Sequence, residues 1–383
     1  MRANNPTIQN LAQNQRMSHE QTGGKLLGQG VYGCAFNPAL KCRPVKGGPA
    51  TKKGITNNQV GKITTLEDAD NEYKFSEKLL KAPNASSYFL LATELCVPES
   101  RSKQTEKDLS KCEPLKGVEL PSMAQLVMPL GGKPLRLVPR KMASIDFFRL
   151  GQHLLEAGAL LLMKHVVHGD LHQMNVLLDT PRTARMIDFG LAWSPDELTL
   201  ANVKYLDRSF NPAITQEPPE VSYIHGLLDK RTPKITLARI SDEKIPLILL
   251  YKIYGISKEK QMKRLETFVR GSKSFQENNR YGYYKLYWNK VDAWGLGTML
   301  LSMYVDMLAT DSAFERAPEL LQKEDMVKTV LLSMCDTEPA LRMDAIEALS
   351  LWAPNSAVLQ NPEIQSWLAE QRNQRKELER VIF

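Results

Sequence analysis

The sequence predicts an α+β fold in two lobes, a small strand-rich N-terminal lobe with one helix followed by a larger helical lobe. Three observations predict it. From Gly24 the text is strand-like and punctuated by glycine (KLLGQGVYGCAF), as in two strands joined by a glycine-rich turn. A buried strand at Gln125–Met128 is broken by PLGGKP, which sets a boundary near residues 129–133. Beyond it, long apolar runs at 145–167, 291–307 and 326–335 read as helices because they exceed strand length.

Taken in order, residues 1–22 are rich in Asn and Gln and predict a flexible arm. The first lobe spans 23–128. Within it, 37–57 is loaded with Pro, Gly and Lys and reads as an inserted loop; 98–118 is polar and reads as a second excursion. A short strand around Val60–Ile63 precedes an amphipathic helix, with Phe75, Leu79 and Leu80 on one face. The second lobe spans 129–355 and carries a helical, basic insertion at 221–288, which is either a partner surface or lobe packing. A charged, helical tail occupies 356–383. No internal repeat is visible.

Composition excludes several classes. Of 383 residues, 43% are hydrophobic and 24% charged, the balance of a soluble globular protein. No apolar run reaches the roughly 18 residues of a membrane span, and the N-terminus lacks the apolar stretch of a secretory leader. A cytoplasmic location and no membrane partner are expected. The five cysteines (Cys34, Cys42, Cys96, Cys112, Cys335) are odd in number and form no C-x-x-C pair. Reduced thiols are expected rather than a disulfide framework or a zinc site. A net charge of +7 permits acidic partners, nucleic acid included, without requiring them.

Four motifs carry chemistry. The first is Gly28-Gln29-Gly30-Val31-Tyr32-Gly33. In a dinucleotide fold a helix would begin at the third glycine; here Cys34-Ala35-Phe36 continue as a strand, so a hairpin is predicted. Such a turn brings backbone N–H groups close to phosphates. The second is Lys62, at the end of a short apolar strand, with Glu72 on the following helix as the carboxylate that would hold it and Glu77 as the rival. The third is His168-Gly169-Asp170-Leu171-His172-Gln173-Met174-Asn175, with Ile187-Asp188-Phe189-Gly190 placing Asp188 thirteen residues after Asn175. One carboxylate can take a hydroxyl proton, while an amide oxygen and a second carboxylate hold metal against phosphates. The fourth set is architectural: Glu217-Pro218-Pro219-Glu220, Asp292 at the head of an apolar helix, and Arg342. A buried Glu220–Arg342 ion pair is expected.

With these motifs in order over roughly residues 24–350, the chain resembles the eukaryotic-type protein kinases. GVYGCAFNPALKC, ASSYFLLATELC and EPPEV look more specifically like the serine/threonine kinases of large DNA viruses. The resemblance implies a two-lobed protein-kinase fold that transfers the γ-phosphate of ATP to protein hydroxyls with Mg²⁺, or Mn²⁺. It implies catalytic roles for Asp170, Lys62, Glu72 and His172, and metal ligands Asn175 and Asp188. Nucleotide contacts are implied at Leu27, Gly28, Gln29, Gly30, Val31, Tyr32, Gly33, Cys34, Ala35 and Lys62. Met128 would back the adenine pocket, with Pro129 and Leu130 in the hinge.

Two departures matter. Gly169 stands where most such kinases have the arginine that grips an activation-loop phosphate, so activation by that route is not expected. His172 stands where a lysine is usual. The wording H-G-D-L-H also occurs in small-molecule and atypical kinases, which supplies one rival reading; a nucleotide-binding pseudokinase scaffold is another.

Overall fold

The structure, a computed structural model, describes residues 24–30, 33–43, 57–104, 108–138, 145–310 and 321–371. The expected arm, Val31, Tyr32, most of the 37–57 insertion and the end of the tail lie outside them. The protein is α+β, with a small antiparallel sheet toward the N-terminus and helices beyond. It divides into two compact units: the chain up to Ala69 with Glu94–Leu130, and Asp70–Thr93 with the chain from Gly131 on.

The first unit is a six-stranded sheet of order β1-β2-β4-β6-β5-β3. Its strands are β1 (Lys25–Gln29), β2 (Cys34–Asn37), β3 (Cys42–Arg43), β4 (Gln59–Thr64), β5 (Glu94–Pro98) and β6 (Ala124–Pro129). Every pairing is antiparallel. Phe36, Leu40 and Ile63 are fully buried against Leu109, Leu115 and Leu120. Thus the polar 98–118 stretch is not a bare excursion. Its short 3₁₀ turns place leucines in the core, each worth about 1.5–3 kcal/mol of burial.

The same packing overturns the expectation of reduced thiols. Cys34 is bonded to Cys112 and Cys42 to Cys96, with Cα–Cα separations of 6.2 and 5.8 Å. Antiparallel pairing of Cys42 with Pro98 carries Cys42 beside Cys96, two residues away. Sequence separations of 78 and 54 residues conceal both contacts. Only Cys335 is free. Denatured without reductant, the protein should therefore show one alkylatable thiol by mass spectrometry and five after reduction; five in both conditions would contradict these bridges.

The second unit begins within α1 (Leu66–Leu79). Phe75 and Leu79 are buried in one cluster with Phe89, Leu154 and Phe189, which is why Asp70–Thr93 belongs here rather than with the sheet. Leu80, expected on the same face, is 47% exposed. After α2 (Ala85–Tyr88), a small sheet forms from β7 (Lys133–Pro134), β8 (Val176–Thr180) and β9 (Thr183–Met186). Between β7 and β8 runs α3 (Phe147–Met163), capped where Asp146 accepts the Arg149 N–H and buried along most of its length.

Five helices then follow: α4 (Pro219–Leu228), α5 (Pro233–Glu243), α6 (Ile245–Tyr254), α7 (Lys258–Gly271) and α8 (Lys273–Gln276). They answer the open question of the 221–288 insertion: Ile240, Leu247, Leu265, Phe268 and Tyr283 are integral to the main core. Next come α9 (Arg280–Thr310, kinked at Tyr287), α10 (Glu324–Met334) and α11 (Ala345–Trp352), the last closed by a capping box of Asp344 and Glu347. The described part of the tail packs down rather than projecting: Ile364 is 1% exposed and Trp367 Nε1 donates to Asp344. Among the described residues, no helix is long and apolar enough to cross a membrane.

Candidate active site

The site in the second unit is built by a hairpin. Val176 of β8 pairs with Met186 of β9, so the residues just outside that pair, Asn175 and Ile187, must also lie side by side. Ile187 N–H donates to the Asn175 carbonyl at 3.0 Å. The thirteen-residue spacing from Asn175 to Asp188 is thus the length of a two-stranded loop that returns to its start. Asp188 follows with φ 67°, a left-handed conformation that Asp tolerates better than most residues.

Asn175 is directed at Asp170. Its amide nitrogen donates to the Asp170 carbonyl at 2.9 Å and to Asp170 Oδ2 at 3.2 Å. With its N–H groups so used, what Asn175 offers a ligand is its amide oxygen. That oxygen and the Asp188 carboxylate are both hard-oxygen donors, the type that would hold Mg²⁺. The donor chemistry fits the expected ion.

The loop carrying Asp170 is held from below. Asp292, on α9, accepts the backbone N–H groups of His168 at 2.6 Å and Gly169 at 3.0 Å. Burial raises the Asp292 carboxyl pKa, and His168 with these donors works against that rise. His168 in turn contacts the Ile187 carbonyl through Nε2 at 2.9 Å, tying the two halves of the site together.

Gly169 has φ 74°, and a Cβ there would come within 2.8 Å of the Leu191 carbonyl oxygen. The arginine missing at this position is therefore excluded by backbone and space. Its absence has a counterpart: Arg208, from the segment between Asp188 and Glu220, donates to the Gly169 carbonyl at 2.9 Å and lies 3.9 Å from Asp170 Oδ1. Nearby, Gln216 Nε2 donates to Asp170 Oδ1 at 2.8 Å. Burial pushes the Asp170 carboxyl pKa up, but hydrogen bonds with His172 and Gln216 and the charge of Arg208 outweigh it. The carboxyl is held well below the usual range.

His172, where the resemblance implies a lysine is usual, lies beside Asp170. Met174 N–H donates to His172 Nδ1 at 3.1 Å, which leaves the neutral ring's proton on Nε2, 3.5 Å from Asp170 Oδ2.

The segment from Asp188 to Glu220 is anchored along its length. Val167 and Trp193 exchange backbone hydrogen bonds, and Lys78 donates to Ser194 at 2.9 Å. Asp207 pairs with Arg280 at 3.1 Å, and Trp294 Nε1 donates to the Thr215 carbonyl. Lys244, fully buried, donates to the carbonyls of Ile214 and Glu217 and to Ser222, each at 2.9 Å. Burial lowers its pKa to about 8. Finally Glu220 meets Arg342 in two bonds of 2.8 Å, both residues 0% exposed. The expected ion pair is present.

The remaining predicted site residues lie in the first unit, except Glu72. An added Cβ at Gly33 would come within 1.8 Å of the Ile63 carbonyl oxygen, whereas at Gly28 and Gly30 it would meet nothing. Packing among the described residues thus accounts for one of the three glycines, Gly33. Val31 and Tyr32 lie outside the described residues. Leu27 is 51% exposed, and Gln29 Oε1 accepts the Glu113 N–H. Cys34 is taken up in its disulfide, so only its backbone can meet a ligand.

Lys62, half-buried on β4, stands opposite Ala35 on one side and Leu126 on the other. On α1, Glu72 is 2% exposed while its rival Glu77 faces solvent. Met128 is buried opposite Val60. Pro129 has no N–H, and that of Leu130 is given to the Asn58 carbonyl at 2.8 Å, so neither is an uncommitted backbone donor. The sequence singles out neither Gln216 nor Arg208 as a neighbour of Asp170.

No protein-family model matches the chain, and no curated protein matches it.

Proposed function

We propose that the chain is an ATP-dependent protein serine/threonine kinase with the protein-kinase fold, of the kind found in large DNA viruses. The observation that carries this reading is the single hairpin mouth at which Asn175 bonds Asp170 and Ile187 bonds Asn175. Asp170, ionised and oriented by Gln216 and Asn175, accepts the hydrogen bond of an incoming hydroxyl and takes its proton as the phosphoryl group transfers. Asn175 and Asp188 would hold Mg²⁺, which when bound neutralises charge on the phosphates. Asp292 and Arg208 keep the loop in place. The helices α4 to α11 and the Glu220–Arg342 tie support a protein acceptor over a small molecule.

The test is Mg²⁺-dependent transfer of label from γ-labelled ATP to a generic basic protein, beside a panel of sugars and aminoglycosides. Transfer to protein is expected; transfer to a small molecule alone, or to nothing, would refute the reading.

The anchoring of the 188–220 segment has a regulatory consequence. Gly169 cannot become a phosphate-reading arginine, and Arg208 is already engaged with the catalytic loop. Ser194, one acceptor within the segment, is 2% exposed. After phosphatase treatment, with the segment shown bare by mass spectrometry, the protein should phosphorylate substrate without a lag. A rise of more than about tenfold as the segment gains phosphate, roughly 1.4 kcal/mol of barrier, would show that the loop is a switch.

A further inference from the structure

Beside Asp170, within the second unit, lies a cavity of about 370 Å³. It is large enough for side chains, at the low end of ordinary ligand pockets. His172 and Gln216 line it, and both also meet Asp170, at 3.5 and 2.8 Å. A peptide whose hydroxyl reaches Asp170 therefore passes the mouth of this cavity. An extended chain advances about 3.3 Å per residue, so the side chain that enters belongs to a residue within about three positions of the acceptor.

The lining states what would fit. Leu171 and Met299 are buried in its walls, and Ile245 and Met174 keep 48% and 43% of their surface exposed at the site. Exposed large apolar side chains around a concavity mark a recognition surface more often than a scattered few do. Its polar side chains include the hydroxyls of Thr215, Thr298 and Ser302 beside His172, Gln173 and Gln216, and Thr298 already donates to the Gly295 carbonyl at 3.0 Å.

No carboxylate lines the cavity. Its one permanently charged side chain is Arg136, exposed, with no carboxylate partner among the described residues. A lysine or arginine of a substrate would meet no counter-charge here and would face Arg136.

We infer that this cavity selects protein substrates carrying a large apolar residue (Leu, Met or Phe) within three positions of the phosphorylated hydroxyl, with acidic rather than basic neighbours. The inference rests on the kinase reading and names its substrate class. The 221–288 region then has a second use, since Ile245, Pro246 and Leu249 of α6 form one wall.

The test is an oriented peptide library with a fixed serine, assayed with the full chain, ATP and Mg²⁺ beside the generic basic protein. Peptides with Leu, Met or Phe at the selected position should exceed the alanine peptide at least tenfold in kcat/KM, the range one apolar pocket supplies. Ile245→Arg, in the wall of the cavity, should cut that ratio below about threefold. Arg136→Glu should shift the neighbouring preference from acidic to basic residues. A flat library, or a preference for Arg or Lys with the intact protein, would overturn the inference while leaving the kinase reading standing. No transfer to library or protein would remove the kinase reading, and the inference with it.

Discussion

Asp188→Asn should lower Mg²⁺-dependent phosphate transfer at least about a thousandfold, roughly 4 kcal/mol of barrier, while the melting temperature stays within a few degrees. The substitution is nearly isosteric, and Asn tolerates the left-handed conformation that residue 188 adopts at φ 67°. What it removes is charge, at the place where the β8–β9 hairpin returns to Asn175. An amide oxygen there would offer a divalent cation a neutral ligand where Asp188 would offer an anionic one. The check is an initial-rate assay at saturating ATP across a Mg²⁺ titration, beside a thermal melt of both proteins. Turnover within tenfold of the unmodified protein would rule out Asp188 as a metal ligand.

The second large effect concerns stability. Glu220 and Arg342 are both 0% exposed and doubly bonded, and Tyr283 donates a further bond of 2.8 Å to Glu220. Arg342 also satisfies the carbonyls of Asp336 and Lys290. Arg342→Met strands a buried carboxylate and two carbonyls, and should cost about 3–5 kcal/mol. For a unit of this size that corresponds to a fall in its melting temperature of roughly 6–20 °C. Glu220→Leu combined with Arg342→Met should cost clearly less than the two single changes added together, because no charge is then left unpaired. Chemical denaturation of the four proteins measures the cycle. Additive losses would mean that the pair is not an energetic unit.

Some of this architecture is legible in sequence because it is local or periodic. The spacing of Asn175 and Asp188 states a hairpin's length, and the apolar run after Asp292 states a helix. The glycine turn flanked by strand-like text places β1 and β2. Less is legible where contacts join distant segments. The two disulfides depend on sheet order, which no spacing of cysteines reveals. The polar character of 98–118 conceals Leu109 and Leu115, because a few buried side chains on 3₁₀ turns have no regular period. Leu80 was misplaced by one turn's end: α1 stops at Leu79, and the next residue no longer follows the helical face. Gln216 bonds Asp170 across 46 residues and stands in text that otherwise looks like a lead-in to Glu217. Only the folded segment shows that its amide, with Arg208, orients the carboxylate.

If phosphate transfer is chemistry of Asp170, removing its charge must slow it. Purified intact chain and its Asp170→Asn form are each given γ-labelled ATP, Mg²⁺ and the same protein acceptor, and initial rates are compared at matched folded fractions. The intact chain is expected to label serine or threonine hydroxyls. The variant, which cannot accept the hydroxyl proton but keeps the neighbouring hydrogen-bonding shape, is expected to be slower by about a thousandfold. Equal rates, or rates within tenfold of each other, would place the chemistry elsewhere and contradict the account.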